Sequence, residues 1–280
     1  MEVHRSTRTM RRWGGFAPAT VALLLIGAGC GSSGDEDRTT AQPSSPITTQ
    51  SAVRVVALGD SDATGIGDEA SIGWVGRYGR LLEAKLGSPV AVDNRAAEGK
   101  TSGQLRREVA DDAELRKTLA QADVILLGIG GADLNAGDDA LSAGRCQGRA
   151  CYAGLLRRFA ANIAAIAAET RRLAPSASMQ AIALPNVFPG ARAEIPPFIT
   201  ADISRYEVTE ERSAVCLAMR ATGGRCVDVA RAFNGPAADA DAYATGLLTK
   251  NPCCYPSGKG QQLIARLLVA TRVSEPSASP

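Results

Sequence analysis

The sequence predicts an α/β domain of three layers, α/β/α, around a mainly parallel five-stranded sheet. Three observations carry that expectation. Short aliphatic runs alternate with longer segments whose apolar residues recur at helical spacing, the pattern of right-handed β–α–β crossovers. The strand-like runs are apolar almost throughout, as suits strands covered on both faces. Glycine-bearing turns follow three of those runs, and in an open parallel sheet chemistry collects just beyond the carboxyl ends of the strands.

The first strand is read from Val53 to Leu58, where aliphatic residues and Ala57 surround a single Arg54. It runs into Gly59-Asp60-Ser61 and then Asp62-Ala63-Thr64-Gly65-Ile66-Gly67, a tight turn with a hydroxyl at its tip. A serine so placed is a candidate nucleophile, and the plainer reading is that it caps a helix or satisfies a turn. Trp74, Val75, Tyr78, Leu81, Leu82 and Leu86 mark a helix that Gly87 and Pro89 end. Val90 to Val92 is the second strand, followed by a loop from Asn94 to Thr101. Thr101 or Ser102 caps the helix that carries Leu105 and Val109, and a further helical run carries Leu115 and Leu119.

Asp123 to Gly130 is the third strand, running into the turn Gly131-Ala132-Asp133-Leu134 and a polar loop that holds Cys146 and Cys151. An Ala-rich helix from Tyr152 to Leu173 stops at Pro175, and Met179 to Leu184 is the fourth strand. The proline- and glycine-rich stretch between Pro185 and Pro197 reads as an irregular loop bordering a cleft. Tyr206 to Met219 reads as helix, Cys226 to Val229 as the fifth strand, and Leu263 to Leu268 as the apolar face of a closing helix. Gly128-Ile129-Gly130-Gly131 lacks the spacing of a dinucleotide loop, so no cofactor is expected.

The ends of the chain have a different character. Residues 1–29 have a basic start, an apolar run from Ala17 to Ala28, and small residues before Cys30, the order of a secretory signal. Gly27-Ala28-Gly29-Cys30 resembles the end of a bacterial lipoprotein signal, departing from it at Gly27, and implies lipidation at Cys30. Residues 30–51 are too poor in aliphatic side chains to order themselves and read as a tether; 52–272 form one domain, and 273–280 a disordered tail. The expected location is the outer face of a bacterial cell membrane, lipid-anchored, or the medium. Four arginines of the small basic excess lie in the leader, leaving the rest near neutral, with no footprint for nucleic acid or an anionic membrane surface.

Six cysteines follow the tether: Cys146, Cys151, Cys216, Cys226, Cys253 and Cys254. An even count in an exported chain suggests disulfides, and proximity favours Cys146 with Cys151 and Cys216 with Cys226. Cys253 and Cys254 then form a vicinal bridge or remain thiols. Zinc is disfavoured, because neither histidines nor a C-x-x-C pair accompany these cysteines.

The three glycine turns, in this order, resemble those of the SGNH or GDSL hydrolases over roughly residues 53 to 272, which implies a flavodoxin-like fold. On that resemblance Ser61 of Gly59-Asp60-Ser61 is the nucleophile and its N–H an oxyanion donor. Asn94 to Gly99 is the second block, with the Gly99 N–H as a further donor. The third block, Gly130-Gly131-Ala132-Asp133, has Ala132 where the family places an oxyanion-binding Asn. In the last block Tyr255 stands near the place of the family's histidine, and Pro252 where its Asp would be. The sole histidine of the chain is His4, in the leader.

A serine hydroxyl needs a positioned base to become a useful nucleophile. The expectation is therefore a cleft at Ser61 that binds acyl-ester or acylated-glycan ligands with slow or absent turnover. The alternative is an active carboxylester hydrolase with another base: Tyr255, its pKa lowered by Lys259, Lys250 or Lys100, or a carboxylate such as Glu98 or Asp62. Asp60 and Asp133 are read as holding their loops. The partners expected are a small ester or acylated carbohydrate and, through Cys30, the membrane; the chain is expected to be a monomer.

Overall fold

In the computed structural model, residues 51–190 and 198–270 are described. The leader, Cys30, the tether to residue 50, the tail from 273 and part of the proline-rich loop lie outside them. Among the described residues five parallel strands form one sheet in the order β2-β1-β3-β4-β5. They are β1 Val53–Gly59, β2 Val90–Asn94, β3 Val124–Gly128, β4 Ser178–Ala183 and β5 Arg225–Asp228. This is the 2-1-3-4-5 order of flavodoxin-like folds, whose strand order switches between β1 and β3, where a crevice opens at the carboxyl ends. Ser61 and Gly130 follow those two strands, so the sheet topology itself sets the first and third glycine turns side by side.

Strand alternation divides β1 between two cores. Val53, Val55 and Ala57 face helices α2 (Gly73–Leu86) and α9 (Gly258–Ala270), which pack on each other across that side. Val56 and Leu58 face α3 (Ser102–Asp111), α4 (Ala113–Ala120) and α6 (Ala150–Leu173). Both faces of β1, β3 and β4 are covered, which is why these strands read as largely apolar runs, whereas the edge strands β2 and β5 are more exposed. Each such aliphatic side chain stabilises the fold by about 1.5–3 kcal/mol.

The helix ends follow from capping chemistry. Thr101 and Gln104 form a capping box at the start of α3, Asp112 caps α4 through the N–H groups of Glu114 and Leu115, and Gly87 ends α2 in the left-handed conformation at φ 66°. Thr200 caps α7 (Ala201–Ala221), which begins ahead of the expected Tyr206.

One expectation about connections is corrected, and one pair of strands was not foreseen. The segment after β3, read as a polar loop, opens with helix α5 (Gly131–Ser142). Its glycines are poor helix formers, but α5 packs on α6, where the Tyr152 ring fills the space a Cβ on Gly137 would need, 2.4 Å away. Tertiary contact overrides weak propensity there. The region around Pro252 forms an antiparallel pair, β6 (Leu248–Lys250) with β7 (Cys253–Pro256), too short to show periodicity in the sequence. A short helix, α8 (Val229–Asn234), follows β5 directly.

Disulfides join Cys146 to Cys151 and Cys216 to Cys226, the second tying α7 to β5. Cys253 and Cys254 form the vicinal bridge, on β7, so the alternative of two free thiols does not hold.

Candidate active site

β1 ends at Gly59, which lies opposite Gly128 of β3. A Cβ on Gly59 would stand 2.1 Å from the Gly128 carbonyl oxygen, so only glycine lets the strands approach there. Asp60 then caps the single-turn helix α1 (Ser61–Thr64), accepting a hydrogen bond from the Asp62 N–H at 3.3 Å. Its carboxyl also accepts from the N–H of Gly130 at 2.9 Å and faces those of Gly131 and Ala132 at the start of α5, which favour its charged form. Asp60 is buried; that burial raises its pKa, and the four N–H donors oppose the rise. The side chain thus fastens the serine turn to the third glycine turn. Gly130 takes φ 144°, a conformation closed to most side chains, to make the approach.

The second block is held from the other side. The Asn94 amide donates to the Ala63 carbonyl at 2.8 Å and its oxygen accepts from the Ala96 N–H, so Asn94 ties the loop to α1. Gly99 is exposed at φ 71°, with open space beside its Cα. Asp133 accepts from the Ser102 N–H at 2.7 Å and the Ser102 hydroxyl at 2.6 Å, fastening α5 to the start of α3. Ala132 stands in the first turn of α5, its N–H directed to Asp60.

Tyr255, carried on β7, is half-buried and lines the same cavity as Ser61, near enough for the serine hydroxyl to act on its pKa. Burial raises its pKa first, and the carboxyl groups of Asp62, Glu98 and Asp60 raise it further, against a smaller lowering from Ser61. A lysine-lowered phenol is therefore corrected: Tyr255 holds its proton more firmly than a free tyrosine. Lys259 donates to the Thr245 carbonyl and Lys100 to Glu108 and the Arg95 carbonyl. Asp62 lies beside Asp60: a Cβ on Gly131 would be 3.6 Å from one carboxyl and 3.9 Å from the other. Burial, with the Asp60 charge second, pushes the Asp62 carboxyl up to about 8.

Ser61, Asp62 and Tyr255 open into a cavity of about 310 Å³, large enough for a small ligand. The vicinal pair Cys253 and Cys254 forms part of its wall. Across from them the chain after β4 is braced by Asn186, whose amide donates to the Ala238 carbonyl at 2.7 Å and whose oxygen accepts from the Phe188 N–H and the Ser204 hydroxyl. Asn234 accepts from the Asn186 N–H at 2.9 Å. From α7, Glu207 and Glu211 line the cavity, and from α5, Asp138 does. Sequence reasoning passed over these acids. The signal was present: Ile203, Glu207, Glu211 and Val215 recur every fourth residue, placing two carboxylates on an inward stripe. Among the described residues no cluster of three or more His, Cys, Asp or Glu has metal-binding geometry.

A parallel α/β sheet with a serine at the carboxyl end of β1, beside a helix N-terminus and above a cavity, is the architecture of a serine-hydrolase-type domain. The chain belongs to the GDSL-like lipase/acylhydrolase family, whose model matches residues 57–263. Solved structures with the same fold include a lipase from a goat rumen metagenome, 18% identical with a TM-score of 0.66 over 80% of this chain and 99% of that one. An extracellular lipase from Streptomyces rimosus is 18% identical with a TM-score of 0.57 over 79% and 100%. A phospholipase A1 from Streptomyces albidoflavus gives 18% and 0.54 over the same shares. Among curated proteins the sequence finds no match.

Proposed function

We propose that this chain is an exported GDSL-family protein that binds small acyl esters or acylated carbohydrates at Ser61 and hydrolyses them slowly at neutral pH. The observation that carries the reading is the partner of the nucleophile. Attack by the Ser61 hydroxyl on an ester carbonyl must release the serine proton to a base, and the group beside it in the cavity is a phenol whose own proton is held by burial and nearby carboxyl groups. Tyr255 can donate a hydrogen bond to an oxyanion or leaving alkoxide, but it cannot accept a proton near pH 7. With Ala132 in place of an amide donor, oxyanion stabilisation is also weaker, by roughly a hundredfold in rate where such a donor is lost.

A competent hydrolase is the second reading, and Asp62 favours it. With its pKa near 8, this carboxyl is mostly protonated at pH 7 and mostly ionised at pH 9. Ionised, it is a stronger base than an ordinary carboxylate. Hydrolysis of p-nitrophenyl acetate and butyrate by the full chain and its Ser61→Ala variant, from pH 6 to 10, tests both readings. The expected result is a small Ser61-dependent rate that climbs through about pH 8 and loses that climb in Asp62→Asn. Fast turnover already level at pH 6 would overturn slow hydrolysis, and identical rates with and without Ser61 would remove hydrolysis of these esters altogether.

We also propose that lipid on Cys30 holds the domain at the outer face of the cell membrane. Support comes from the order of charge, apolar run and small residues ahead of Cys30, and from the three disulfides, which suit an oxidising compartment. Intact-mass measurement of the native protein is expected to give a chain starting at Cys30 and carrying acyl mass; an unmodified Cys30 would remove the anchor.

A further inference from the structure

The cavity beside Ser61 is acidic in a way that ester hydrolysis does not require. Helix α7 presents Glu207 and Glu211 one turn apart, at 4% and 1% exposure, and both line it. One oxygen of each, Oε1, has no hydrogen-bond partner among the described residues. The Glu211 carboxyl otherwise accepts from the Leu184 N–H at 3.2 Å, and that of Glu207 meets the Tyr152 phenol, which donates to Asp138 at 2.5 Å. A buried acceptor without a donor destabilises a fold, and an isosteric Gln or an aliphatic residue would relieve the charge. Among the described residues lining the cavity there is no Lys, Arg or His. Leu184, Val187, Phe188 and Val208 add an apolar wall to the lining.

We propose that this cavity is a subsite for an organic cation, so that the preferred ligand is an ester carrying a protonated amine. Its ammonium charge lies against Glu207 and Glu211 and donates at least one N–H to them, while the ester carbonyl lies at Ser61 and its carbon chain against the apolar wall. The assignment deepens the reading of Ser61 as an ester site and rests on it. A cation is the complement because one ligand must both donate to unpartnered oxygens and offset clustered charge; a hydroxyl does only the first. Burial holds the Glu207 carboxyl up at about 8 and Glu211 well above its usual range, with Asp60, Asp62, Asp138, Asp228, Tyr152 and Tyr255 among their titratable neighbours. These carboxyls bind protons when no cation is near. An entering ammonium displaces them, so binding releases protons.

Two thioesters of equal shape test the assignment on the full chain: 2-(dimethylamino)ethyl thioacetate, cationic at pH 7, and its neutral isostere 3-methylbutyl thioacetate. We expect kcat/KM at least tenfold higher for the cationic ester, with the ratio falling to within about twofold in Glu207→Gln and Glu211→Gln. Hydrolysis of both esters at equal kcat/KM would overturn the cation subsite and leave the Ser61 reading standing; this wild-type ratio decides even where a variant fails to fold. Hydrolysis of neither would remove turnover of these thioesters, and calorimetry with butyldimethylammonium chloride then decides the subsite alone. Binding with proton release, lost in the glutamine variants, supports it; no heat up to 50-fold excess over a millimolar concentration, on the order of the weakest useful affinity, overturns it.

Discussion

Ser61 shares its cavity with a phenol where the family resemblance leads one to expect an imidazole, and that single difference sets the expected chemistry. Replacing Tyr255 by His returns a group that is half neutral near pH 6.5 and able to accept the serine proton. Tyr255→His is expected to raise the Ser61-dependent rate on p-nitrophenyl butyrate at pH 7.5 by roughly a hundredfold, the range of general-base catalysis. Adding Ala132→Asn is expected to give about a further tenfold, short of the full value of an oxyanion donor because the supporting contacts are absent. No gain in the double variant would mean that Ser61 is not the nucleophile. Gly59, Asp60 and Ser61 were legible in the sequence, as was the place of Tyr255, because short motifs fix backbone shape locally. The raised pKa of Tyr255 was not, since it comes from burial and from Asp62 and Glu98, which lie far from it along the chain.

At the scale of elements, the segment between α1 and α2 shows how one carboxylate organises a site it does not touch. Asp68 accepts from the N–H groups of Ala70, Ile72 and Gly73 and pairs with Arg77 at 2.8 Å, its own carboxyl fully enclosed. These donors and the guanidinium hold its pKa below the usual range in spite of burial. The neighbouring Glu69 accepts from the Gly258 N–H at 3.3 Å, linking this loop to the start of α9, just after Tyr255. Asp68→Asn leaves Arg77 facing a neutral amide and is expected to cost about 2–3 kcal/mol, below a fully buried pair because Arg77 keeps some contact with water. Urea denaturation checks it, and an unchanged midpoint would show that the loop carries no stability. Strands and long helices could be read from periodicity, whereas α5 and the β6–β7 pair could not: their residues favour turns, and neighbours hold them in shape.

For the whole molecule, buried acids set how stability responds to pH. Asp62 and Glu207 have folded-state pKa values raised to about 8, so the folded state binds protons that the unfolded chain releases near pH 4. Their contribution is full below the unfolded pKa and is lost as pH rises through about 8. Asp68 and Glu169 have lowered values and act in the opposite sense, contributing above pH 4 and losing that contribution in acid. Thermal unfolding is therefore expected to peak near pH 5 and to fall toward pH 8, with each full proton released costing about 1.4 kcal/mol per pH unit. Glu207→Gln is expected to flatten that fall. A midpoint that instead rises from pH 5 to 8 would contradict buried, protonated carboxyls. Taken alone, the sequence determined the parallel sheet, the glycine turns, the serine and a single histidine at position 4, because local spacing and composition decide those features. The tertiary structure alone decided that Tyr255 lines the cavity beside Ser61, that Cys253 and Cys254 are bridged, and that carboxyl groups from α1, α5 and α7 share one cavity. Such groups acquire their pKa and their chemistry from neighbours brought together by folding, and those neighbours are distant in sequence.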